Sequence, residues 1–233
     1  MGSRREVVFW VGACAVAAGG VVLFEQQRTR RERSEVGRKL DAGRAATQRG
    51  DHETAAKTLT EASAIMGRAT SRAKAVVTLE AADANERVAL ETADPVRLSK
   101  AEEILEKSLT DVPGTDLEAQ RARAVVLDRL ASLAQTRGDL ARAASLYRDA
   151  VGTFGDDLNG DKVSPRLTPV AFDLAGILHN FATCDYQQTG KHQRALTVLD
   201  QAAKFCDAVP DPGKRDTCST NITDMRYYIQ QAR

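Results

Sequence analysis

The sequence is poor in the residues that most active sites and many folds are built from. Of its 233 residues only 5% are aromatic, and it has six prolines, three histidines and a single tryptophan. His52, His179 and His192 are scattered, and no Cys-x-x-Cys or His-x-x-x-His pairing exists, so no zinc-type ligand set is expected. Four cysteines in a chain of this length make no disulfide framework, although one pair can still oxidise. The formal net charge is only +1, which gives no whole-chain reason to expect nucleic acid as a partner. β-Branched runs are also scarce. What is abundant is Ala and Arg within a 42% hydrophobic chain, which points to an all-α fold with one adequate core or a short repeat array.

Catalytic signatures are missing too. There is no G-x-S-x-G and no dinucleotide fingerprint. Gly155 to Lys162 approaches a P-loop, but the lysine is one place late, no Ser/Thr follows it directly and no strand leads in. Asp157, Asn159 and Asp161 alternate like the start of an EF-hand, without the Gly and the Glu that complete one. Glu102 and Glu103 are adjacent on a helix, so they point apart and form a solvated face. The expectation is a protein that is not an enzyme and has no metal, no cofactor and no small-molecule substrate.

One long uncharged run stands out, Val7–Phe24. Eighteen residues of helix span about 27 Å, enough for the hydrocarbon core of a bilayer. The sequence divides here into a tail (1–6), a single transmembrane helix (7–24) and a basic linker (25–33). Arg4 and Arg5 precede the run, and Arg28, Arg30, Arg31 and Arg33 follow it, with Glu25 and Glu32 interspersed. A cleaved secretory signal fits less well, because the residues beyond Ala13 and Ala15 stay apolar through Phe24. Cys14 with Ala18, and Ala15 with Gly19, are four apart and form a candidate face for packing against other membrane helices. The larger count of Lys/Arg after the run would leave the body on the cytosolic side of a bacterial or ER membrane.

The rest of the chain is periodic. Around Gly138, Leu127, Leu130, Ala131 and Ala134 recur at helical spacing before the glycine, and Leu140, Ala143, Ala144, Tyr147 and Ala150 recur after it. Ala131, Ala134 and Ala143 let two helices approach closely, and Tyr147 fills the remaining gap. Gly50, Ala55, Leu59 and Ala62 repeat the pattern upstream, and Gly190, Ala195, Leu199 and Ala202 repeat it downstream. Ala101, Leu105, Ser108 and Pro113 fit between them, with Val96 where the turn glycine should stand. Asp94-Pro95 stops the preceding helix. Thr115 to Glu118 reads as a capping box opening the third unit. Thr168-Pro169 reads as the start of the fourth, and Gly152 to Pro165 as the longest loop. Asp211-Pro212 begins a final helix through Met225 and Ile229.

This pattern resembles the tetratricopeptide repeat (TPR), a helical hairpin of about 34 residues. Leu127, Leu130, Ala131, Gly138, Ala143, Tyr147 and Ala150 fall on its offsets, with Ala134 in place of the usual Tyr and Gly155 in place of the closing Pro. The resemblance implies an all-α protein: an N-terminal membrane helix, then about four repeats over 34–210, then a capping helix over 211–233. It also implies a concave partner groove lined by the first helix of each repeat. By family offset the groove residues are Leu40 and Arg44, Glu86 and Leu90, Asp128 and Ser132, then Asn180, Cys184 and Gln187. Carboxylate-clamp TPRs need Lys and Asn at such positions. Here Glu86 and Asp128 are acidic, which suits a basic or amphipathic segment better.

The layout is similar to membrane-anchored mitochondrial TPR proteins that act as assembly factors or protease adaptors. It implies a non-catalytic scaffold, an accessory subunit or assembly factor of a respiratory-chain or ATP synthase complex in the inner membrane. Its partners would be other subunits and membrane lipid. An outer-membrane import receptor binding amphipathic presequences is the alternative, and a bacterial envelope chaperone a further one. Cys206 and Cys218 flank the last turn. They read either as two buried thiols or, in an oxidising space, as a disulfide.

Overall fold

The computed structural model describes residues 34–66, 71–111, 115–158 and 162–231. The run Val7–Phe24 lies outside them, together with its candidate packing face Cys14, Ala15, Ala18 and Gly19. Pro113, Asn159 and Asp161 also lie outside. Among the described residues no helix is long and apolar enough to cross a membrane.

Helix α1 (34–48) pairs with α2 (His52–Ala64), and α3 (Ser71–Thr92) pairs with α4 (Pro95–Asp111). Helix α5 (Leu117–Thr136) pairs with α6 (Leu140–Gly152), and α7 (Ala171–Thr189) with α8 (His192–Asp207). Helix α9 (Pro212–Gln231) closes the array against α8 and α7. Each helix packs on its chain neighbours, and the first helices α3, α5 and α7 also pack on one another. The architecture is therefore an all-α stack of hairpins, as expected of a repeat array in which each unit covers the next.

The turns explain the hairpins. Gly50 and Gly138 adopt φ of +76° and +80°, in the left-handed region where a side chain is strained. The next residue, Asp51 or Asp139, donates its backbone N–H to the carbonyl five back, Ala46 at 3.0 Å or Ala134 at 2.9 Å. Its carboxylate then accepts from the N–H of Thr54 or Arg142, capping the second helix. One aspartate thus closes both helices of the hairpin.

In the second hairpin the turn is not at Val96. Ala93 takes the left-handed conformation at φ +52°, and the N–H of Asp94 donates to the Ala89 carbonyl at 3.0 Å. Pro95 opens α4, and Val96 is 71% exposed in its first turn. The turn lies three residues earlier than the glycine offsets require. The buried positions of α4, Ala101 and Leu105, still fall where the pattern puts them, so α4 carries the extra turn of helix.

Three further boundaries differ from the sequence reading. Asp116, not Thr115, caps α5, accepting from the Ala119 N–H at 2.8 Å. Thr168 and Pro169 lie within a 3-10 helix, Pro165–Val170, and α7 starts at Ala171 without a side-chain cap. The stretch Gly152 to Pro165 is not a plain surface loop. It contains a 3-10 turn, Gly155–Leu158, and sends Phe154 and Leu158 into the core.

That core is largely alanine and leucine. Its biggest cluster joins Ala150, Phe154, Leu174, Leu178, Leu199 and Phe205 to Ile222 and Ile229 of the capping helix. Tyr147, 1% exposed, fills a second cluster with Ala131, Ala134, Ala143 and Phe181, and its hydroxyl donates to Gln135 Oε1 at 3.2 Å. In the first hairpin, a Cβ on Gly43 would meet Leu59 Cγ at 2.6 Å, so only glycine allows this approach of α1 and α2.

Candidate functional site

The corrected turn resets the register of the first helices. Ten residues before the turn residues Gly50, Ala93, Gly138 and Gly190 stand Leu40, Asp83, Asp128 and Asn180. Six before them stand Arg44, Arg87, Ser132 and Cys184. Glu86 and Leu90 belonged to these rows only under the Val96 register. In the structure Glu86 lies in the row of the small packing residues Gly43 and Ala131, which is why it is only 8% exposed. Leu90 lies in the row of Gln135 and Gln187 and is 64% exposed. Cys184 lines no groove. It is fully buried, donates its thiol to the Leu140 carbonyl at 3.6 Å, and is pushed up in pKa by that burial.

These rows are joined by a polar ladder from one first helix to the next. Arg44 on α1 holds Glu80 on α3 through three hydrogen bonds of 2.6 to 3.2 Å. Arg129 on α5 pairs with both Asp83, at 2.6 Å, and Glu86 on α3. Asn180 on α7 donates to Asp128 at 3.0 Å, and Gln135 on α5 donates to Gln187 on α7 at 2.7 Å. Arg121 pairs with Asp173 between α5 and α7. Burial raises the pKa of the Asp128 carboxyl, opposed by the Asn180 hydrogen bond and the Arg129 charge.

The ladder changes what the face can do. Glu86 is paired with Arg129, and Asp128 accepts from Asn180 and feels the Arg129 charge, so neither acidic group presents a free carboxylate to a basic peptide. Residues less engaged lie nearer the N-terminal end. Arg87 is exposed and, among the described residues, has no ion pair. With Arg44, Thr47, Gln48 and Asp83 it rims a recess of about 300 Å³ over Leu59. Ser132 is half-buried, and its carbonyl accepts from the Thr136 hydroxyl.

Sequence reasoning missed Glu80, Asp83, Arg87, Arg129 and Gln135. For Asp83 and Arg87 the missing signal was the turn itself. Among the described residues no group of three or more His, Cys, Asp or Glu side chains is placed to hold a metal ion. At the far end of the array Cys206 and Cys218 form a disulfide across the α8–α9 turn, with Cα atoms 5.7 Å apart. Arg215 secures the same turn by two hydrogen bonds to the Val209 carbonyl, at 2.8 and 3.0 Å.

No protein-family model matches this chain, and no curated protein matches it. Solved structures do. One is a crystal structure of nearly identical TPR-like repeats from a Podosopora anserina protein assigned as a kinesin light chain. It matches at 18% identity and a TM-score of 0.56, covering 86% of this chain and 89% of the other. A singly substituted form of that protein matches at 17% identity and the same TM-score, covering 86% and 88%. At such identities the likeness concerns the fold alone: the described residues make a TPR-like helical-repeat array.

Proposed function

We propose that this protein is a non-catalytic, membrane-anchored TPR-like scaffold, an accessory subunit or assembly factor of a mitochondrial inner-membrane complex of the respiratory chain or ATP synthase. The observation that carries the reading is the division of labour on the first-helix face. Asp128 and Gln135 of α5 are bonded to Asn180 and Gln187 of α7, whereas on α3 Arg87 stays exposed at the rim of an open recess and Leu90 is exposed one turn further on. A face that leaves an arginine unspent offers one of the residue types that anchor protein interfaces, and Leu90 adds exposed apolar area. The uncharged run Val7–Phe24 supplies the anchor, with Cys14, Ala15, Ala18 and Gly19 as its packing face. The Cys206–Cys218 bond supports an oxidising space such as the intermembrane space for the body.

The test is gentle solubilisation of tagged full-length protein, followed by a native gel and mass spectrometry. Wild type is expected to co-migrate with a respiratory or ATP synthase complex. Arg87→Glu is expected to lose that association while keeping its melting temperature. Elution with translocase components, together with a protease-accessible body in intact mitochondria, would overturn the reading in favour of the import receptor.

A further inference from the structure

A second cavity, of about 100 Å³, lies between the second helices α2 and α4 and the first helix α3. Its floor contains an anomaly in the repeat. Where the other second helices bury Ala62, Ala150 and Ala202, each fully, α4 carries Ser108. Ser108 is 4% exposed and its hydroxyl has no hydrogen-bond partner. Other helical hydroxyls nearby bond back to their own helix, Ser63 to the Thr60 carbonyl at 2.9 Å and Thr110 to the Lys107 carbonyl at 2.7 Å. A buried hydroxyl left unpaired costs free energy, and its alanine counterparts show that the fold does not need it.

The described charges around this cavity favour an anion. Among the described residues, Lys100 and Lys107 of α4 line it with one carboxylate, Glu103, which sits 2.9 Å from Lys100. Lys107 is exposed and has no ion pair among the described residues. Helix α2 contributes Thr60 and Ser63 but no acid, because Glu61 turns away to Lys39. Between α4 and the next hairpin the charges cancel instead: Glu102 pairs with Arg137 of the α5–α6 turn and Arg142 of α6, and Glu106 with Arg142. The α2–α4 junction has its own ion pair, Arg97 with Glu53, but at the cavity itself Lys107 is left without one among the described residues.

We propose that this cavity binds a small tetrahedral oxyanion, a phosphate group, with the Ser108 hydroxyl donating to it and the ammonium groups of Lys107 and Lys100 balancing its charge. An ionised acceptor forms the stronger class of hydrogen bond with such donors, and a lysine serves as a point charge for phosphate without needing a fixed orientation. The full-length protein is titrated calorimetrically with inorganic phosphate at constant ionic strength, and in parallel with O-phosphoserine. Tighter binding of O-phosphoserine identifies an esterified phosphate as the occupant, and equal or weaker binding identifies the free ion. Wild type is expected to show saturable binding. Ser108→Ala and Lys107→Gln are each expected to weaken it about tenfold or more. Ser108→Ala is also expected to leave the ligand-free melting temperature unchanged or higher, since it removes only an unmade bond. No saturable binding to wild type, or binding by both variants equal to wild type, would overturn the proposal.

Discussion

Ala93 gives the sharpest test of how the hairpins are closed. It is exposed, so replacing it with glycine removes no packing. Its φ of +52° is the left-handed conformation, which costs an L-residue roughly 1–2 kcal/mol. Glycine relieves that cost but adds about 0.5–1 kcal/mol of freedom to the unfolded chain. The balance predicts that Ala93→Gly stabilises the protein by about 0.5–1 kcal/mol, a rise in melting temperature of about 1–4 °C for a chain of this size. The converse applies at Gly138, where φ is +80° and nothing lies within 4 Å of a would-be Cβ. Gly138→Ala therefore meets only the backbone penalty and should lose a similar amount. Urea unfolding followed by circular dichroism measures both. If Ala93→Gly leaves the midpoint unchanged or lowers it, the assignment of the turn to Ala93 is wrong.

Two further outcomes are expected. Reducing the Cys206–Cys218 bond, which closes a separation of 12 residues, should cost about 3 kcal/mol on the chain-entropy estimate. Amide exchange should accelerate first in α9, and an unchanged melting temperature with α9 still protected would contradict this. Asp128 carries the pH dependence. Its folded-state pKa is raised, chiefly by burial, so the folded chain holds that proton more tightly than the unfolded chain does. Its contribution is most favourable below the ordinary aspartate range and is lost as pH rises through the raised value. Asp128→Asn keeps an acceptor for Asn180 and should be more stable than wild type at neutral pH. The difference should vanish in acid, and a difference that grows in acid would refute the sign.

What the sequence revealed was set by glycine and what it hid was set by alanine. Gly50, Gly138 and Gly190 announce left-handed turns because no other common residue tolerates them as readily, so three hairpins could be read directly. Ala93 adopts the same conformation with a residue that signals helix continuation. The extra turn in α4 kept Ala101 and Leu105 on their expected offsets and so concealed the shift. The resulting three-residue error moved Glu86 and Leu90 into a groove that belongs to Asp83 and Arg87. Cys184 shows a different limit: its row is correct, but contact with Leu140 covers it, and no spacing in the sequence conveys that. The ladder was hidden for a related reason. Arg129 has carboxylates on its own helix and on its neighbour, and only the docked register of α3 against α5 selects Asp83 and Glu86.

The capping arrangement at the C-terminal end also bears on how such a molecule comes apart. The largest apolar cluster, the inserted Phe154 and Leu158, and the α8–α9 bond all belong to the last two hairpins and the cap, whereas the first hairpin relies mainly on the smaller clusters around Leu59 and Met66. In a linear array, where each unit leans only on its neighbours, fraying then starts at the N-terminal hairpin and travels toward the cap. A protease working on the damaged protein would strip the first hairpin and the recess beside Arg87 while the distal half remained folded, so the ability to dock would disappear well before the chain itself did.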